Sequence, residues 1–106
     1  MPLHRIAFKM KLHPGCEAEY KKRHDALWPE LADLLKLTGI EEYSIFLDEE
    51  TGDLIGYLRT RDPAQLDQLP AHALMLKWWD YNKDLMDTHP DHSPVTRPLT
   101  EVFYLP

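Results

Sequence analysis

The chain has a single cysteine, Cys16, only four glycines, and no apolar stretch approaching membrane-spanning length. One cysteine excludes an internal disulfide framework, and no Cys/His spacing matches a structural zinc site. Reducing cytosol is the setting that fits such a composition. An excess of positive charge is also missing: twelve Lys and Arg stand against eighteen Asp and Glu, a formal net charge of −6. The densest basic cluster, Lys21-Lys22-Arg23, spreads around a helix instead of forming a stripe. It therefore marks a solvated face, and no nucleic-acid partner is expected. No signal-peptide-like apolar run follows Met1-Pro2-Leu3-His4-Arg5, and there is no low-complexity segment, so no membrane partner is expected either. With 106 residues the chain has room for one core. Residues 1–106 are expected to form one soluble, cytoplasmic domain.

What is present is a succession of clear periodicities. Ile6, Phe8, Met10 and Leu12 alternate with Ala7, Lys9 and Lys11, the period of a half-buried strand, which His13-Pro14-Gly15 ends. From Cys16 the period becomes helical and runs to Trp28, where Pro29 must either kink the helix or open a new one. Gly39 supplies a helix C-terminus. Ile40 to Leu47 and Leu54 to Arg59 read as strands joined by the acidic turn 48–53, hence a hairpin. Asp62-Pro63 caps a short helix over Ala64 to Leu69, which Pro70 interrupts. A longer helix carries Ala71, Leu74, Met75, Trp78, Asn82, Leu85 and Met86. The proline-rich segment 89–98 is an extended loop, and Leu99 to Leu105 closes the chain as a strand.

The order β-α-β-β-α-β is that of an α+β, ferredoxin-like domain: a four-stranded antiparallel sheet with helices on one face. The other face must be solvated, enclose a ligand or meet another subunit. Phe8, Tyr43, Ile45, Tyr57, Phe103 and Tyr104 are more large apolar groups than one face of so small a sheet needs, so a homodimer is expected.

Chemistry concentrates on the first helix. Tyr20, His24 and Trp28 sit four residues apart and stack on one face, separate from the apolar stripe Leu27, Leu31, Leu34 and Leu35. An imidazole titrates near neutrality, which makes His24 the candidate general acid/base. The bland alternative is a satisfied surface histidine. Trp28 precedes Pro29 and is read as packing that fixes the helix turn. Trp78 and Trp79 are about 100° apart on a helix, so one is core and the other interface, unless either touches ligand. Tyr43 is as readily core or interface as ligand contact. Asp25, Asp80 and Asp84 could each pair with His24. His4, His13, His72, His89 and His92 show no metal spacing and are read as structural or solvated.

Together, Glu19-Tyr20…Arg23-His24…Trp28-Pro29-Glu30-Leu31, the Trp78-Trp79 pair and the tail Ser93-Pro94…Glu101-Val102-Phe103-Tyr104-Leu105-Pro106 resemble the L-rhamnose mutarotase family. The resemblance spans nearly the whole chain. It implies a dimeric α+β barrel and interconversion of the α and β anomers of L-rhamnopyranose, in support of rhamnose catabolism. It further implies His24 as general acid/base, with Tyr20, Tyr43, Trp78 and Trp79 as substrate contacts and no metal or organic cofactor. Two other classes stay open on the residues alone. One is a cofactor-free monooxygenase of the same architecture acting on a small hydrophobic substrate; the other is a non-catalytic sugar-binding domain.

Overall fold

A computed structural model describes residues 3–106. Strands β1 (His4–Lys11), β2 (Ile40–Asp48), β3 (Asp53–Thr60) and β4 (Arg97–Leu99) form one sheet in the order β2-β3-β1-β4, every neighbouring pair antiparallel. That is the ferredoxin-like topology expected from the element order. The register aligns Met10 with Leu54, Phe8 with Gly56, Ile45 with Gly56 and Leu47 with Leu54. Directly paired residues share a face, so Phe8, Met10, Tyr43, Ile45, Leu47 and Leu54 all point to one side. On that side Met10, Leu12 and Leu54 pack with Tyr20, Leu85 and Met86 as the buried core.

Three of the six residues counted as surplus thus lie on the helix-covered face: Phe8, Tyr43 and Ile45. The open face carries instead Ala7, Ile55, Tyr57, Phe46 and Leu99 among Arg5, Lys9 and Arg59. It is less apolar than the strand composition suggests, although Phe46 is exposed.

Helix α1 (Glu17–Asp25) ends three residues before the expected boundary, and α2 (Pro29–Leu37) is a separate helix. Proline crowds the residue before it out of the helical region. Trp28 accordingly has extended backbone, φ −60° and ψ 128°, and Pro29 occupies the first turn of α2, where its missing N–H costs nothing. Leu31 faces the core, and Gly39, at φ 100°, turns the chain into β2. The short helix α3 (Pro63–Leu66) starts on the Asp62 carboxylate, which accepts from the Ala64 amide, and a 3-10 turn follows at Leu69–Ala71.

Helix α4 (Ala73–Asn82) is shorter than the apolar period indicated. Leu85 ends the turn that follows it and Met86 forms an isolated bridge, where Leu12 pairs with Met86 and the His13 amide donates to the Leu85 carbonyl. Their burial comes from tertiary packing, which periodicity alone mistakes for helix. The last strand is likewise shifted, since pairing stops at Leu99 and residues 100–106 run free of the sheet. The tail is tied back at two points, by a forked Arg5–Glu101 ion pair and by the Arg5 guanidinium over the Tyr104 ring. Val102, Phe103 and Leu105 are left exposed.

Candidate active site

Between α1, α2 and the sheet lies a cavity of roughly 720 Å³. Its walls differ in kind. Tyr20 and His24 from α1, Tyr43 from β2 and Trp78 from α4 supply polar and aromatic lining; Leu27, Leu31, Leu35 and Met75 supply an apolar wall. Four of the five residues singled out in the sequence meet here. Trp79, half-buried, does not line this cavity although the resemblance implies it as a substrate contact, because it stands about 100° around the helix from Trp78.

The imidazole of His24 is fixed on three sides. The Tyr20 ring stacks on it with centroids 4.0 Å apart and planes at 23°, and Trp78 meets it edge-on at 5.2 Å. Its Nδ1 lies 2.9 Å from the Tyr20 carbonyl oxygen. A carbonyl only accepts, so Nδ1 carries the hydrogen and donates. In the neutral ring Nε2 then holds the lone pair, and it has no protein partner among the described residues. Burial lowers the His24 pKa below its ordinary value, partly offset by the Tyr20 carbonyl and by Asp25. Near neutral pH the ring is therefore an uncharged base.

None of the three aspartates hydrogen-bonds this ring, and Asp25 acts on it only through its charge. Asp25 pairs with Lys21, Asp80 with Lys83 and His92, and Asp84 with Arg23. The orienting group is a backbone carbonyl one turn earlier, which residue identity does not reveal. Arg23 departs from the solvated face expected of the basic cluster: its side chain is only 14% exposed and reaches α4.

Both tyrosines keep their protons. Burial raises the Tyr20 phenol, with Tyr43 adding to the effect, and burial pushes Tyr43 up to about 12. Tyr43 nonetheless exposes 40% of its surface. Phe8 meets the Tyr43 ring edge-on at 6.2 Å and sits over Gly56, where a Cβ would lie 2.4 Å from the Phe8 ring. Trp28 packs against Trp78 at 5.0 Å and Tyr81 at 5.7 Å, behind the cavity instead of in it. It supports Trp78, in line with a packing role at the helix break.

The arrangement can move a proton at Nε2 beside two neutral hydroxyl groups, in a cavity with one apolar wall. Fold and site together define a small ferredoxin-like α+β protein with a histidine-bearing cavity. Residues 5–105 match the family described as rhaM: L-rhamnose mutarotase. The chain is 55% identical over 105 residues to the L-rhamnose mutarotase of Jannaschia sp. (strain CCS1), covering 98% of this chain and 100% of that one. It is 51% identical to that of Brucella anthropi, covering 96% of each. The crystal structure of an L-rhamnose mutarotase from Formosa agariphila superimposes with a TM-score of 0.90 at 48% identity, over 97% of this chain and 99% of that one. An antibiotic biosynthesis monooxygenase matches with a TM-score of 0.52 at 15% identity, covering 95% of this chain and 99% of that one, a likeness of fold alone. The chain belongs to the L-rhamnose mutarotase family.

Proposed function

We propose that this protein interconverts the α and β anomers of L-rhamnopyranose, with His24 as the single proton carrier. The observation that carries the mechanism is the Nδ1 hydrogen bond to the Tyr20 carbonyl, which leaves Nε2 basic and unpartnered at the cavity wall. Nε2 accepts the proton of the anomeric hydroxyl as the bond between C1 and the ring oxygen breaks. The imidazolium returns that proton to the ring oxygen, giving the open aldehyde and a 5-hydroxyl with no net proton change. Rotation about C1–C2 and reversal of the two transfers close the ring on the other face. General acid/base catalysis contributes about 10²- to 10⁴-fold, which suits a reaction that already proceeds in water.

Tyr20 and Tyr43, held as neutral hydroxyls, are hydrogen-bonding partners for ring hydroxyls. Trp78 offers an indole for the sugar's C–H groups, and Trp79 joins the substrate contacts where a closed or dimeric site brings it near. The apolar wall of Leu27, Leu31, Leu35 and Met75 suits the C6 methyl of a deoxy sugar. The same reading includes a homodimer. Phe46 on the open sheet face and Phe103 in the tail, 62% and 77% exposed, are surfaces a second copy would cover. It also includes a cytoplasmic location, in keeping with a free Cys16, and no nucleic-acid partner for a chain of net charge −6.

Saturation transfer between the anomeric protons of L-rhamnose, with and without protein, tests the activity. Acceleration is expected, and its absence would overturn the enzyme reading. His24→Ala should remove about 10²- to 10⁴-fold of the acceleration with an unchanged circular dichroism spectrum. Retained exchange in that variant would place the proton carrier elsewhere.

A further inference from the structure

Helix α1 bears the proposed proton carrier, yet little apolar surface holds it. Tyr20 is its one buried residue, and the chain breaks at 26–28 directly after it, so no continuing helix steadies its last turn. What reaches across from that last turn is Arg23. Its Nε donates to Glu19 Oε2 at 2.8 Å on its own helix. Its Nη1 donates to the Tyr81 carbonyl at 2.7 Å and to Asp84 Oδ1 at 2.9 Å, and Nη2 to Asp84 Oδ2 at 3.2 Å. The guanidinium also lies 4.6 Å from the centroid of the Tyr81 ring.

We propose that Arg23 is a positioning residue, locking the last turn of α1 to the C-terminal end of α4 so that His24 is held against Trp78. The inference rests on the assignment of His24 as proton carrier. Tyr81 lies in the last turn of α4, whose carbonyls have no partner within the helix, and a cation is favourable there. Arg23 thereby caps one helix with a residue of another. Only a planar fork fills both the Asp84 carboxylate and the carbonyl from one head group; a lysine in its place supplies a point charge without that geometry. The next residue in sequence, His24, is carried by the same turn. Asp84 gains as well, since its carboxyl is held below the usual range chiefly by the Arg23 hydrogen bonds.

Loosening this tie lets the last turn of α1 lift from α4, which admits water beside the imidazole and moves Nε2 from its place over the substrate. A misplacement of about 1 Å can cost 10²-fold in rate. The ionisable groups around His24 are Tyr20, Lys21 and Asp25 on its own helix with Glu17, Tyr43 from β2 and Glu49 from the β2–β3 turn; α4 presents Trp78. None of these is altered by changing Arg23 or Asp84.

The test uses Arg23→Lys, Arg23→Ala and Asp84→Asn in the full chain, with two readouts. The first is NMR titration of the His24 imidazole, which needs no activity. The second is anomer exchange across L-rhamnose concentrations. Hydration of the ring raises its titration midpoint toward the ordinary value, whereas loss of the Asp84 charge alone would lower it. The expected result is an upward midpoint in Arg23→Lys and in Asp84→Asn. Turnover should drop about 10- to 100-fold, with KM changed far less and Arg23→Lys milder than Arg23→Ala. A midpoint that stays or falls in Asp84→Asn, with unchanged turnover, would overturn the proposal. Should Arg23→Ala not fold, Asp84→Asn still decides, because Asp84 is an exposed partner. If the wild-type protein shows no exchange, the activity reading fails while the titration still reports whether Arg23 positions His24.

Discussion

Gly56→Ala offers a sharp test of how the sheet sets the site. A methyl group at residue 56 would stand 2.4, 2.6 and 2.9 Å from three atoms of the Phe8 ring, all well inside van der Waals contact. Phe8 has little freedom to yield: it is packed against the core cluster and meets Tyr43 edge-on. Overpacking of this kind costs about 1–3 kcal/mol. Replacing glycine in a strand returns about 0.5–1 kcal/mol by restricting the unfolded chain. From the middle of the two ranges a net loss of about 1 kcal/mol remains, and at about 4–8 °C per kcal/mol for a domain of this size the melting midpoint should fall by roughly 4–8 °C. Thermal unfolding followed by circular dichroism measures it. Because Phe8 must shift against Tyr43, anomer exchange should fall as well. In a Phe8→Leu background the same substitution should cost little, giving a clear coupling energy between the two sites. An unchanged or raised midpoint for Gly56→Ala, or an equal cost in both backgrounds, would refute the reasoning.

Exchange should persist at pH 6.5 and fall with a more acid midpoint, because burial lowers the His24 pKa and its neutral form survives further into acid; a midpoint at or above 6.5 in the pH–rate profile would contradict this. The same shift has a stability consequence. The unfolded imidazole takes its proton near 6.5 and the folded one only at lower pH. The contribution is therefore complete above 6.5 and is lost as pH falls through the folded pKa, a slope that denaturant titrations should find reduced in His24→Gln. Tyr43→Phe removes one hydroxyl while keeping the ring against Phe8. It should weaken KM about 2- to 12-fold, the equivalent of one hydrogen bond at roughly 0.5–1.5 kcal/mol, and an unaltered KM would remove Tyr43 from the substrate contacts. Deleting residues 101–106 strips away the Arg5–Glu101 fork, Tyr104 and Phe103. Sedimentation should show the wild-type chain as a dimer and the truncated one shifted toward monomer; a wild-type monomer would refute the dimer.

The strand order was legible because alternation in β1, the acidic hairpin turn and the Trp28-Pro29 break each have a local cause. The cavity was legible in part. Tyr20 and His24 one turn apart on a helix must share a face, and a helix face is a local property. What escaped the sequence was whatever depended on a distant partner. Leu27, Leu31 and Leu35 read as plain core, yet they form the apolar wall of the cavity, since an apolar stripe looks the same whether it meets leucines or a ligand. Leu85 and Met86 read as helix because burial beyond a helix end repeats with no warning. Arg23 read as solvated because its partner, Asp84, is 61 residues away. Glu19, one turn before Arg23, was the one local hint.

The hydrogen bond that orients His24 comes from the main chain, and that sets what variation the site can tolerate. The Tyr20 carbonyl already serves the helix ladder, and its second lone pair takes the imidazole hydrogen. No substitution at residue 20 can delete that acceptor. A proton carrier aligned by a neighbouring carboxylate is one point mutation away from the wrong tautomer. This one keeps the right tautomer for as long as the turn from Tyr20 to His24 stays helical, so drift among the surrounding aspartates leaves the tautomer unaltered, and a proline or a local unwinding of that turn would undo it.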